Sequence, residues 1–277
     1  MTPFEFCLIT CAISIIAGVF GSLLGLGGGI IVIPALTLLL HVNIRYAIGA
    51  SIVSVIATSS GAAAAYVRER MTNLRVAMVL EVATTLGALS GAYLAGRIEG
   101  RALEILFGIV MGYSALMMLH RRESRGSVGS APWSDRLRLH GSYFDKALGR
   151  EVAYRVRGIR IGLVLMYIAG VVSGLLGIGS GALKVPAMDL VMRLPIKVST
   201  ATSNFMIGVT AAAGAGIYFM RGDIVPFIAA PVAVGVSVGA LLGSRFLGWI
   251  RNERLRAAFV AILLLVSLQM MIKGLAK

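Results

Sequence analysis

IAGVFGSLLGLGGGIIVIPALTL, residues 16–38, returns as IAGVVSGLLGIGSGALKVPAMDL at residues 168–190, an offset of 152 with no gap and 12 of 23 positions identical. The register holds downstream: Ile44 matches Ile196, Ser51 matches Ser203, Thr58 matches Thr210 and Tyr66 matches Tyr218. Gly87 and Gly239, Gly91 and Gly243, and Leu103 and Leu255 extend it. Each copy carries a glycine-rich break and a proline inside an apolar run. Secondary transporters are often built from two such repeats, whose half-helices meet around a substrate near the membrane midplane.

Working outward, the composition identifies the solvent. The chain is 58% hydrophobic and 14% charged, contains 34 Gly and has a mean hydropathy of +0.89. A water-facing surface needs about a quarter of its residues charged. Apolar runs of membrane length cover Phe6–Leu26, Ile44–Val67, Val76–Gly96 and Ala102–Leu119, then Ile159–Ile178, Ser199–Met220, Ile224–Gly248 and Ala257–Ile272. With short runs at 30–42 and 182–192, the expectation is an all-α polytopic membrane protein of 8–10 segments. Lipid gives helices no hydrophobic reason to associate, so close packing at small residues must do it. Gly21/Gly25, Gly87/Gly91, Gly108/Gly112, Gly177/Gly181 and Gly239/Gly243 have the spacing for it. The N-terminus has no basic region, with Glu5 its only early charge, so a cleavable leader is not expected. Cys7 and Cys11 share a helix face and read as small apolar filler.

Net charge is +14, yet ten of the 26 Lys/Arg fall between Arg121 and Arg160. That concentration points to a cytoplasmic loop beside anionic lipid, not to nucleic acid. The chain divides into a first repeat, 1–120, a basic cytoplasmic loop, 121–158, and a second repeat, 159–277. Within the loop, LRLHGSYF and EVAYRV alternate like two strands of a small hairpin around Asp145–Arg150. With that loop inside, Arg68, Arg70 and Arg75 fall inside in repeat one, whereas in repeat two the bias moves to Arg251, Arg254 and Arg256. Arg193 and Lys197 agree with this arrangement, and Lys273 and Lys277 oppose it. The reversal favours inverted repeats.

Chemistry is expected at the breaks, Gly25, Gly27, Gly28 and Gly29 with Pro34 as a hinge, and Gly177, Gly179, Ser180 and Gly181 with Pro186 as its counterpart. Clustered glycines disfavour helix by about 1 kcal/mol each relative to Ala, and in return let backbone approach a ligand or a neighbouring helix. A half-helix starting after the glycines would turn free N–H groups toward an anion. Ser51, Ser54 and Thr58 share a face, and Thr202, Ser203, Asn204 and Thr210 lie on the matching segment. Such hydroxyls either join helices or line a path. Lys184 replaces the Val32 of repeat one, and either adds charge to the site or reaches the headgroups. Asp189 can pair with Arg193 one turn on, and Glu81, with no basic neighbour, is the foremost proton-coupling candidate, with Asp189 as the second. His41, His120 and His140 lack metal-ligand spacing, so neither a metal nor a cofactor is expected. No nucleophile–base pair, H-E-x-x-H or phosphate-loop Lys-Ser/Thr is present, which argues against an enzyme and against ATP-driven transport.

The paired Gly-rich-then-Pro segments, the SxxSxxxT and STATSN stretches and the basic central loop resemble the TauE/SafE family of sulfite-exporter-like permeases, grouped also with toluene-sulfonate uptake permeases. The resemblance spans nearly the whole chain. Its motif positions fall on Gly25, Gly27, Gly29 and Pro34, then Gly177, Gly179, Gly181 and Pro186, with Ser180 in place of the middle glycine. It implies a multi-pass carrier in a bacterial-type inner membrane for a small sulfur-containing anion such as sulfite, a sulfonate or sulfoacetate. A passive anion channel, or a carrier of a non-sulfur organic anion, stays open. So do proton or ion coupling and a homodimer.

Overall fold

The computed structural model describes residues 2–119 and 132–275; His120, residues 121–131 of the basic stretch, Ala276 and Lys277 lie outside the described residues. The first half runs α1 (Pro3–Leu24), α2 (Gly29–Pro34), α3 (Ile44–Arg68), α4 (Leu74–Ala95) and α5 (Gly100–Leu119). A short α6 (Pro132–Arg136) and strands β1 (Gly141–Asp145) and β2 (Arg150–Tyr154) follow. The second half runs α7 (Ile159–Leu176), α8 (Gly181–Pro186), α9 (Ile196–Met220), α10 (Pro226–Phe246) and α11 (Asn252–Leu275). Among the described residues, eight helices are long and apolar enough to cross a membrane, and the protein is a polytopic all-α membrane protein.

Local sequence accounts for the ends and interruptions of these helices. Thr2 and Glu5 form a capping box that starts α1, and Gly25 ends it in the left-handed conformation with its N–H on the Gly21 carbonyl. Pro34 and Pro186 have no N–H to give their own helices. Immediately after each, the helix widens into one π turn, at Ala35–Leu39 and Ala187–Val191. The side chain of Thr37 then takes up the Ile33 carbonyl at 2.8 Å. α2 and α8, and the two π turns, occupy positions that differ by the sequence offset.

Helices pair across the two halves. α1 lies beside α10 and α4 beside α7, each pair parallel: Gly235 meets Cys11 and Gly243 meets Ser22, while Gly87 meets Tyr167 and Gly91 meets Leu175. α5 and α11 run antiparallel, with Ile105 against Gly274 and Gly112 against Ser267. In the two parallel pairs backbone meets backbone: a Cβ at Gly239 would fall 2.1 Å from the Ile15 carbonyl oxygen, and one at Gly91 2.0 Å from that of Val171. These are the small-residue pairs visible in the sequence, used as helix crossings. Gly239→Leu is therefore expected to destabilise the protein by about 3 kcal/mol, the upper end for overpacking. Unfolding in detergent measures it, and an unchanged midpoint would show that α1 and α10 are not held this closely.

The loops gather at two ends. At one, Asn73 Nδ2 donates to the Leu139 carbonyl (2.8 Å), Lys146 Nζ to Glu69 (2.6 Å) and Arg157 N to the Met192 carbonyl (3.1 Å). At the other, Arg45 reaches the Ile98 carbonyl (3.4 Å), Arg221 that of Ala92 (2.9 Å) and Lys273 that of Thr37 (2.9 Å). β1 and β2 form an antiparallel hairpin over the first end, with Asp145 opposite Arg150.

That hairpin is fastened by a buried ion pair. Lys197 Nζ donates to Asp145 Oδ1 at 2.7 Å and to the Gly248 carbonyl at 3.0 Å, with the lysine 0% and the aspartate 2% exposed. Burial alone would push the Asp145 carboxyl up. The hydrogen bond and charge of Lys197, with bonds from Tyr143 and the Ala147 N–H, overcome this and hold it below the usual range. A depressed folded value means the contribution is complete above the ordinary carboxylate pKa of about 4 and is lost as pH falls through the lower folded value. Hairpin release, followed by Trp133 and Trp249 fluorescence, is thus expected only in acid below that range. Asp145→Asn strands the buried lysine and should cost about 3–5 kcal/mol; unaltered unfolding in this variant would show that the pair does not hold the hairpin.

Candidate functional site

The two breaks are alike in backbone. Gly25, Gly27 and Gly28 have φ of 71°, 78° and 65°, and Gly177, Gly179 and Ser180 have 65°, 79° and 57°. Five of these six left-handed positions are glycine, which adopts them without strain. Ser180 accepts a cost of about 1–2 kcal/mol, and its Oγ bonds the Gly179 carbonyl at 2.7 Å.

The breaks cross in direct contact. A Cβ at Gly181 would lie 2.0 Å from the Gly25 carbonyl oxygen, and one at Gly29 would lie 3.5 Å from that of Gly177. Serines brace the crossing reciprocally. Ser51 Oγ donates to the Gly177 carbonyl at 2.7 Å, and its counterpart Ser203 donates to the Gly25 carbonyl at 2.8 Å. Each half thus satisfies the carbonyl left open where the other half's first helix ends. Tyr66 and Tyr218 add matched ties within each half, donating to the Ser22 carbonyl (3.0 Å) and the Gly174 carbonyl (2.5 Å). The register of these tyrosines was visible in the sequence, but their function as ties between helices was not.

Most of the expected hydroxyls therefore have their protons engaged. A hydroxyl has one proton to give, and those of Ser51 and Ser203 go to backbone. Thr58 Oγ1 likewise donates to the Ser54 carbonyl (2.8 Å), whereas Thr202 is held through its oxygen, which accepts from Asn73 N (3.0 Å). Asn204 Nδ2 holds the Ser22 carbonyl at 2.6 Å. Buried polar atoms without a partner among the described residues include Ser54 Oγ, Thr200 Oγ1 and Asn204 Oδ1. Ser54 Oγ would be 3.1 Å from a Cβ on Gly28, and the Thr200 backbone lies against Gly25. Of these, the Ser54 hydroxyl beside Gly28 and the Thr200 hydroxyl near Gly25 can still donate, whereas the Asn204 amide oxygen can only accept. Thr200 lies within the STATSN stretch, but only tertiary contact brings it to Gly25.

Break two carries charge instead. Lys184 is 0% exposed; its Nζ donates to Thr210 Oγ1 at 2.6 Å and lies 3.5 Å from Glu81 Oε2. Thr210 bridges the pair by donating to Glu81 Oε1 at 2.6 Å, and Thr85 Oγ1 adds a bond to the same oxygen at 3.2 Å. Lys184 does not reach the headgroups, and Glu81 has the basic partner that its own sequence neighbourhood lacked. The positions equivalent to Lys184 and Glu81 in the other half are Val32 and Ala233, so the centre has one charged and one neutral side. Asp189 is held by Arg256 Nη2 of α11 at 2.7 Å, a partner 67 residues away. Between Gly177, Gly179, Thr210 and Tyr218 the remaining cavity is about 10 Å³, at the lower limit for one water. The centre is closed.

Of the histidines, His140 braces the hairpin base, with Nε2 2.6 Å from Asp135 and Nδ1 accepting from Val156 N at 3.0 Å. Among the described residues no group of three or more His, Cys, Asp or Glu is placed to hold a metal ion.

Comparison with known proteins gives a match to the family described as Sulfite exporter TauE/SafE over residues 10–270. "Probable membrane transporter protein YunE" of Bacillus subtilis is 26% identical, covering 96% of this chain and 98% of its own. "Probable membrane transporter protein YdhB" of the same organism is 25% identical, over 91% and 94%. A "Probable membrane transporter protein" of Xylella fastidiosa is 29% identical, over 81% and 80%. No solved structure gives a significant match.

Proposed function

Because the chain belongs to the TauE/SafE family of membrane transporters, we propose that it is a secondary carrier for a small sulfur-containing anion of the sulfite, sulfonate or sulfoacetate class. The anion binds between the two crossed breaks, in a bacterial-type inner membrane with the hairpin on the cytoplasmic side. The observation that carries this reading is Lys184, fully buried beside break two, while the hydroxyls of Ser54 and Thr200, beside break one, have no partner among the described residues. An intramembrane cation is costly and is functional by default. With unspent hydroxyls opposite, it supplies what an oxyanion needs once the breaks part. The closed centre supports a carrier over a channel, since opening must precede binding.

The halves are inverted repeats. Antiparallel α5 and α11 support a two-fold axis in the membrane plane, because an axis along the normal would leave equivalent helices parallel. Pro34 and Pro186 are the hinges. Cysteines placed in loops 69–73 and 250–252 should react with impermeant reagent from the same face as the hairpin; labelling from opposite faces would contradict inversion.

Glu81 is the coupling group. An anion at Lys184 competes with Glu81 for the lysine, so anion binding and the Glu81–Lys184 contact oppose one another. Asp189, held by Arg256, fits a structural ion pair. In proteoliposomes, an imposed pH gradient should drive sulfite accumulation by the unmodified protein but not by Glu81→Gln. Gradient-driven accumulation in Glu81→Gln would remove this residue from coupling.

A further inference from the structure

We propose that the polar recess at the end opposite the hairpin is a second oxyanion site, separate from the crossed breaks and first to meet an anion arriving from that side. It is a cavity of about 410 Å³ walled by Thr37, His41, Arg45, Arg101, Glu104 and Lys273. That size is ordinary for a small-ligand site, and here it stands open while the centre is closed.

Charge in the recess is unbalanced. Lys273 lies 3.5 Å from the buried Glu104 carboxylate and is largely neutralised by it. The guanidinium of Arg101 gives only Nε to a carbonyl, that of Gly274 at 3.1 Å, and Arg45 gives only Nη2, to that of Ile98 at 3.4 Å. Neither has an acidic partner among the described residues, so two positive charges with unspent N–H groups border one cavity. Guanidinium groups match the spacing of oxygens on carboxylate, sulfonate or phosphate. The recess also receives the N-termini of α3 and α5, whose dipoles favour negative charge there.

The opposite end shows what such a cation takes. The repeat-two counterpart of Arg45 is Lys197, and a carboxylate from the hairpin, Asp145, sits on it at 2.7 Å. At the hairpin end the anionic place is thus filled by the chain itself, while at the other end it is left to a ligand. His41 adds a parallel: it and its counterpart Arg193 both hold a left-handed backbone, with φ of 52° and 60°. Retaining large basic side chains where glycine or asparagine would be less strained points to a function for them.

The oxyanion can be free in solution or can belong to a lipid headgroup, and the test separates the two. The full-length protein is placed in nanodiscs of neutral phosphatidylcholine and titrated with labelled sulfite, sulfate and methanesulfonate. Native mass spectrometry of protein reconstituted with added phosphatidylglycerol reports retained anionic lipid. We expect saturable binding of a free anion or retention of the lipid, reduced about tenfold in R45Q/R101Q, as for loss of a charge-assisted hydrogen bond. Binding should persist in Gly179→Val, which obstructs the centre and not the recess, so failure of the central reading would leave this result standing. Both arginines are exposed, and the double variant should keep the unfolding midpoint of the unmodified protein. Absence of free-anion binding and lipid retention in the unmodified protein, or equal retention in R45Q/R101Q, would overturn the proposal.

Discussion

Lys184→Met is expected to abolish anion transport and to lower stability by about 3–5 kcal/mol, the cost of leaving one member of a buried ion pair alone. The stranded group is Glu81, whose side chain is 12% exposed and which keeps only hydroxyl partners once the ammonium is gone. Stability and transport can be separated by the double variant Lys184→Met/Glu81→Gln. It has no charge to strand and should recover most of the stability while remaining inactive, because the cation proposed to meet the substrate is still missing. Unfolding in detergent and sulfite uptake in proteoliposomes give the two readings. Recovery of transport with stability would reduce Lys184 to a structural partner of Glu81.

Gly27→Val and Gly179→Val are expected to bring transport to background while leaving membrane insertion intact. At Gly27 a Cβ would lie 2.7 Å from Ile207 Cδ1, and at Gly179 2.6 Å from Val55 Cγ1. Both glycines have φ near +80°, where a β-branched residue is strongly disfavoured. The added bulk also fills the narrow seam between the breaks that must open for an anion to enter. Gly216→Val is the control: it lies in α9 with nothing within 4 Å of an added Cβ, and it should transport normally. Equal loss in the control would mean that valine impairs the protein generally, and normal transport in both break variants would place the substrate elsewhere.

Much of the scaffold was legible in the sequence because its signals are local. Gly25 and Gly177, Pro34 and Pro186, and the apolar runs between them act on their own helices, and each break and π turn forms where they stand. The alternation around Asp145–Arg150 likewise became a hairpin. The partners were not legible, because they join residues far apart in the chain. Ser51 reaches Gly177 across 126 residues and Thr210 reaches Glu81 across 129. From the sequence, Ser51 and Ser203 could either join helices or line a path. Inside a membrane, the carbonyls exposed by a broken helix need donors first, and these serines supply them. The division of the centre into a charged and a neutral side was visible at Lys184 against Val32, whereas the contribution of Glu81 from α4 required the helices to be packed.

Counterflow in proteoliposomes tests most directly whether the crossed breaks carry a sulfur oxyanion. Vesicles containing the unmodified protein and loaded with unlabelled sulfite should transiently accumulate labelled sulfite above equilibrium, as an exchanging carrier does and a channel does not. Sulfonates should compete, and vesicles with Gly179→Val or Lys184→Met should show only leak. Failure of the folded, unmodified protein to exchange sulfite or any sulfonate, or undiminished exchange by both variants, would contradict a sulfur-anion carrier working through this site.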